Sequence, residues 1–145
     1  MATVNFTSGS LRGSYHRQHF GLEGEVGFAE NFLDFAANPV LAADVIQALS
    51  IPKGALVTKV ICHVATAEGA TCTATVGDGD SAAAWDASVN LNSATTQASL
   101  EATDTYGAGK VYTSADTIDL VMGHDTDAAK VLVLAQYVVT EKYGA

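Results

Sequence analysis

Lys130-Val131-Leu132-Val133-Leu134-Ala135-Gln136-Tyr137-Val138-Val139 is apolar at nearly every position. A strand sends successive side chains to opposite faces. Val131, Val133, Ala135, Tyr137 and Val139 therefore share one face, and Leu132, Leu134 and Val138 share the other. A strand buried on both sides is central in its sheet, or another subunit covers its outer side. Working outward, 117–122 places Ile118, Leu120 and Met122 on one face, and 44–49, 87–91, 97–102 and 111–113 read as shorter strands. Turn signals every 8–12 residues or so, with no βαβ alternation, indicate an all-β chain: an antiparallel β-sandwich or jelly roll.

The stretches 56–67 and 71–77 read as a hairpin around Glu68-Gly69-Ala70. A three-residue loop pairs Ala67 with Thr71, Val64 with Ala74 and Cys62 with Val76. That register aligns Val60, Cys62 and Val64 with Cys72, Ala74 and Val76 on one apolar face, with the threonines opposite. The two cysteines then lie four positions apart at about 3.3 Å per residue. That exceeds the roughly 7 Å a disulfide tolerates, so both are expected to be reduced and buried.

The first forty residues differ from the rest. Gly9, Gly13, Gly21, Gly24 and Gly27 are scattered through 1–27 with no sustained period, which predicts extended backbone. We divide the chain into an N-terminal arm, 1–40, and a sandwich domain, 41–145. Two readings stay open for about 28–37. Phe28, Phe32, Phe35 and Ala36 repeat at helical spacing before Pro39, which fits a short helix; alternatively, the arm continues and its aromatics plug into a neighbour. Phe6, Leu11, Tyr15, Phe20, Phe28, Phe32 and Phe35 are accordingly expected at a subunit interface.

Sixteen acids against seven Lys and Arg give a net charge of −9. So acidic a surface repels a polyanion, and nucleic acid is not an expected partner. No apolar run reaches a membrane-spanning length and the N-terminus lacks a secretory pattern, so neither a membrane nor classical secretion is expected.

Catalytic signatures are missing. Neither a Gly-x-Ser-x-Gly elbow nor a phosphate-binding loop occurs, and Gly107-Ala108-Gly109-Lys110 reads as a turn entering a strand. His16 and His19 have an i, i+3 spacing without a helical pattern, His63 falls opposite Cys62, and His124 precedes a turn. Asp78-Gly79-Asp80 opens like a calcium loop, yet the twelfth position, where a bidentate Glu is needed, is Val89. A looser site joining these acids to Asp125 and Asp127 competes with simple turn formation, which Asp-Gly pairs favour. We expect no enzyme, no cofactor and no metal.

Leu49-Ser50-Ile51-Pro52-Lys53-Gly54-Ala55-Leu56-Val57-Thr58-Lys59-Val60 and Thr75-Val76-Gly77-Asp78-Gly79-Asp80 carry a resemblance, as does the run from Tyr106 to Leu120 with its Tyr112-Thr113-Ser114-Ala115-Asp116-Thr117-Ile118. Over about 44–139 the chain resembles small virion structural proteins of tailed bacteriophages. The resemblance implies a capsid decoration, or cement, protein: a homotrimer on the capsid exterior, made in the host cytoplasm, that bridges capsomers through the major capsid protein or another virion protein. Similar domains occur in head fibres and tails. The alternative is thus an adhesin for a host glycan or receptor, which would expose a cluster around Trp85, Asp86 and Tyr106.

Overall fold

From residue 44 onward the sequence reads as strands, and the computed structural model, which describes residues 1–5, 15–19, 26–98 and 105–139, contains eleven strands and no helix among them. They are β1 (Thr3–Asn5), β2 (Tyr15–His19), β3 (Val26–Asp34), β4 (Val45–Ile51), β5 (Ala55–Thr66), β6 (Thr73–Gly77), β7 (Asp86–Asn90), β8 (Thr96–Ala98), β9 (Lys110–Val111), β10 (Asp116–Met122) and β11 (Lys130–Val139). One sheet has the order β1-β4-β10-β6-β7; the other has β2-β3-β11-β5-β8, with β9 also paired to β5. All pairings are antiparallel except β1 with β4. The chain passes from β4 to β5, back to β6, and later from β10 to β11, changing sheet each time. This is the β-sandwich of jelly-roll type that the turn spacing predicts.

The two inner faces meet in one apolar cluster. Ile46, Leu49, Ile118, Leu120 and Met122 come from the first sheet, and Leu33, Val60, Val64, Val133 and Tyr137 from the second. Trp85 and Phe35, both without exposed surface, belong to the same cluster as small residues such as Ala48, Ala74 and Ala135. Burial of this kind contributes roughly 25 cal/mol per Å² of apolar surface, and a single copy closes this core by itself.

Two expectations are corrected. First, 56–67 and 71–77 do not form a hairpin: β5 pairs with β11, β8 and β9, while β6 pairs with β10 and β7 in the opposite sheet. The facing pattern itself holds, since Cys62 and Cys72 both point inward and are free thiols, but they look at the core from different layers. The chain crosses instead of turning back because the corner is pinned. The Glu68 carboxylate accepts hydrogen bonds from the backbone N–H groups of Asp127, Ala128 and Ala129 at 2.9, 3.1 and 2.7 Å, and Glu68 N–H donates to Leu91 C=O at 3.0 Å. Second, no helix forms at 28–37. Residues 26–34 are β3, paired along its length with β11. A spacing of four suits a strand as well as a helix, and the inner positions Ala29, Asn31 and Leu33 are all buried. Asn31 disguised the alternation; its amide Nδ2 donates to Ala48 C=O at 2.8 Å, which makes a polar residue acceptable in the core.

The N-terminus is sewn to the first sheet. Ala2 N–H donates to Asp44 Oδ1 at 3.0 Å and Val45 N–H to Ala2 C=O at 2.8 Å, so β1 lies parallel to β4. In the Pro52-Lys53-Gly54 turn, Gly54 has φ of 87°, a conformation that glycine adopts without strain.

Candidate functional site

The densest polar constellation closes one end of the sandwich, where the turn after β6 meets the segment 105–112. Asp78 folds that turn onto itself: its Oδ1 accepts from Asp80 N–H and Ser81 N–H, each at 3.0 Å. The turn is so tight that a Cβ on Gly77 would overlap the carbonyl of Ser81. Asp78 Oδ2 faces inward and accepts from Lys110 Nζ at 2.6 Å and from Tyr112 O–H at 2.8 Å. Lys110 also reaches Asp80 Oδ2 at 2.9 Å and Tyr106 Oη at 3.1 Å. Its ammonium lies 4.6 Å from the ring centres of both Tyr106 and Tyr112. Trp85 Nε1–H donates to Tyr112 Oη at 3.1 Å, and the Trp85 and Tyr106 rings meet edge to face at 5.3 Å.

The charges are locked. Burial alone would raise the Asp78 carboxyl, but the Lys110, Tyr112 and backbone hydrogen bonds outweigh it and hold it below the ordinary carboxylate value. Burial pulls Lys110 down, and its bonds to Asp78, Asp80 and Tyr106 reverse this, leaving the ammonium protonated well above its usual range. Such a lysine is neither a nucleophile nor a base. Asp119, on β10, is pushed up to about 6 by burial and by the nearby charges of Asp116 and Asp78, against a hydrogen bond from Thr117. Oxygens of Asp78, Asp80 and Asp116 lie within 4.8 Å of one another. The cation among them is Lys110, which already engages Asp78 and Asp80. Asp125 and Asp127 do not join them: Asp125 accepts from Ala42 N–H at 2.8 Å, and Asp127 lies beside Glu68. This constellation is a clamp between two loops.

A second feature is the outer face of the β2-β3-β11-β5-β8 sheet. Across it, Glu30, Leu134 and Ile61 form one row, and Phe28, Gln136 and Lys59 the next. Together with Val26 and Gly27 these residues line a depression of roughly 410 Å³. Val26 is 62% exposed and Phe28 36%, while Ile61, Leu132, Leu134 and Val138 are half-buried. The second apolar face of β11 thus has no layer of described residues over it.

Of the residues expected at an interface, Phe28 and Phe32 lie on this outer face, Tyr15 is in β2 opposite Phe32, and Phe35 is fully buried in its own core. Phe6, Leu11 and Phe20 lie outside the described residues. His63 is exposed, its Nδ1 2.7 Å from Thr96 Oγ1, and His124 is exposed in its turn. His16 and His19 are in β2. Trp85 has no exposed surface, so the aromatic cluster that an adhesin would present around it is not available.

No family model and no curated protein matches the chain. Solved structures do. In the acidic stable capsid structure of Helicobacter pylori bacteriophage KHP30, one chain superposes with a TM-score of 0.59 at 15% identity, over 85% of this chain and 92% of that one. A chain in the cyanophage Pam1 capsid asymmetric unit gives 0.63 at 20% identity, over 83% and 89%. A chain in the capsid of Ralstonia phage GP4 gives 0.59 at 16% identity, over 83% and 88%. The fold is one found in bacteriophage capsids. At these identities the likeness is one of fold, and the shares covered make each of those capsid chains slightly shorter than this one. The β-sandwich that the resemblance at 49–60, 75–80 and 106–120 implies is therefore the architecture observed.

The Lys110 clamp was not foreseen from the sequence. Asp78 and Lys110 are 32 residues apart, and Gly107-Ala108-Gly109-Lys110 reads as a turn entering a strand. The available signal was local: a lone lysine with Tyr106 four residues before it and Tyr112 two after.

Proposed function

We propose that this chain is a capsid decoration (cement) protein of a tailed bacteriophage, a homotrimer that sits on the capsid exterior and bridges capsomers. The observation that carries this reading is the match of nearly the whole chain to chains of similar size within three phage capsids. It is supported by the chemistry: among the described residues the densest polar cluster is a self-satisfied clamp, with no open cleft or activated nucleophile.

Mechanically, a decoration protein adds buried area across joints that packaged DNA strains outward. A specific contact needs only about 800 Å² per partner, and engaging several joints at once multiplies the effect through effective concentration. The clamped loops at 77–81 and 105–112 give such a protein a rigid end, so contact energy is not lost to ordering.

The test is reconstitution. Purified protein added to capsids lacking it should bind to saturation in multiples of three and raise the temperature at which the particles rupture. Failure to bind capsids, or recovery of the protein with detached tails, overturns the reading.

A further inference from the structure

The end of the sandwich opposite the Lys110 clamp carries the loop that joins β3 to β4. From Phe35 to Ala43 that loop has no charged residue, on a chain of net charge −9. Ala36, Ala37, Pro39, Leu41, Ala42 and Ala43 are all exposed, Leu41 by 64%. Apolar residues scattered singly over a surface are ordinary, whereas neighbours gathered on one loop mark a place of contact.

The loop is also held in one shape. Val40 exchanges backbone hydrogen bonds with Thr126 at 3.0 and 2.9 Å, and Ala43 N–H donates to Met122 C=O at 2.7 Å. Three carboxylates bind its backbone: Asp34 accepts from Ala37 N–H at 3.2 Å, Asp44 from Leu41 N–H at 3.0 Å and Asp125 from Ala42 N–H at 2.8 Å. A partner therefore meets a preformed loop, and little binding energy is lost to ordering it. Ala43 has φ of 69°, left-handed backbone that glycine adopts freely and alanine only with strain. A glycine would make the same turn, so the alanine keeps a methyl group on the tip despite that strain. Strain retained on an exposed loop points to a use outside the fold.

Charge says what kind of surface fits. Exposed Asp125 and Asp127 flank Thr126, which bridges to Val40, so they stand beside the tip. Lys130, the next cation along that segment, is engaged by Asp34 at 3.2 Å. The tip is an apolar knob with an acidic rim. A second copy carries the same surplus of acid, and an anionic membrane also repels it. An apolar hollow rimmed by Lys or Arg complements both the knob and the rim. Loops that enter lipid carry Trp, Tyr or basic residues at the interface, and none occurs between 35 and 43.

We infer that the 36–43 loop is a plug: Leu41 enters an apolar hollow on another virion protein, and Asp125 and Asp127 meet basic residues around its mouth. The inference rests on the decoration reading, and it gives a bridging protein a contact at the end away from the clamp.

The experiment is titration of the full chain onto capsids lacking it, with Leu41→Asp, Leu41→Met and Asp127→Lys. Both positions are exposed, and a thermal melt confirms that each variant is folded. Leu41→Asp should bind about tenfold or more weakly, and Leu41→Met within about threefold of the native chain. Asp127→Lys should bind about tenfold more weakly, and added salt should weaken native binding. A folded Leu41→Asp that binds as tightly as the native chain, or an Asp127→Lys that binds more tightly, overturns the inference and leaves decoration standing. A native chain that does not bind capsids overturns both. Two further arms test the other occupants. A native oligomer that Leu41→Asp dissociates in sedimentation velocity gives the tip to a second copy and overturns the inference. So does a native chain that floats with phosphatidylserine vesicles while Leu41→Asp does not, which gives the tip to lipid.

Discussion

Replacing Lys110 by Met should destabilise the fold substantially, and do so with a particular pH signature. The methionine keeps most of the aliphatic stem between Tyr106 and Tyr112 but removes the charge. Asp78, whose side chain has no exposed surface, then loses its 2.6 Å counter-ion. Removing one member of a buried pair costs about 3–5 kcal/mol. Asp78 retains Tyr112 O–H and the Asp80 and Ser81 N–H groups, so the lower end, about 3 kcal/mol, is expected. For a chain of this size that lowers Tm by roughly 6–12 °C. Asp80 provides the control: its side chain is 77% exposed, and Asp80→Asn should cost less than about 1 kcal/mol. In the native chain the Asp78 value is depressed, so its contribution is present above the unfolded carboxyl value and is lost as pH falls through the folded one. Without the lysine, burial dominates and the value rises, so acidification relieves the variant. Urea titrations from pH 7 down to 4 should therefore show the gap between native and variant chains closing. A gap below about 1 kcal/mol at pH 7, or one that does not change with pH, would refute the clamp.

Asp119→Asn should stabilise. The folded value is raised to about 6, so stability is fully present below the unfolded carboxyl value and declines as pH rises through 6; the variant should gain roughly 1–3 kcal/mol at pH 7.5, and denaturant midpoints should converge with the native chain near pH 4. Phe35→Ala empties a fully buried position and should cost about 3–5 kcal/mol in denaturant titrations. A near-neutral result would mean that Phe35 is not packed in its own core. Cys62, pushed up to about 12 by burial and by Asp86, should resist iodoacetamide in the native state and react only after unfolding; mass spectrometry of the labelled chain reads this directly.

Much of the architecture was legible because inward-facing positions are marked by chemistry that does not depend on the partner strand. Residues 130–139 read as a two-faced central strand, and β11 spans those residues between β3 and β5. The same logic explains the failed hairpin. Alternation at Cys62 and Cys72 says which way a side chain points, not which sheet it points from, and only Glu68 bonding to the distant 127–129 backbone reveals the crossing. At Phe28 and Phe32 a polar core residue, Asn31, hid the period of two. The clamp was illegible for a different reason: Asp78 reads locally as a turn former, which it also is, and its second oxygen finds Lys110 only after two loops are brought together. The outer sheet face was half legible, since the second apolar face of β11 was seen but not the neighbours that complete it.

β11 has a consequence for synthesis. Its two flanking partners, β3 and β5, leave the ribosome long before it does, and neither pairs with the other in the finished sheet. Until residues 130–139 emerge, both strands keep an open edge toward the gap that β11 will fill, and closure across such sequence distances is slow. A nascent or prematurely terminated chain therefore lacks the middle of that sheet, including Leu132 and Leu134. The final insertion that joins the two halves of the layer thus also creates its outer surface.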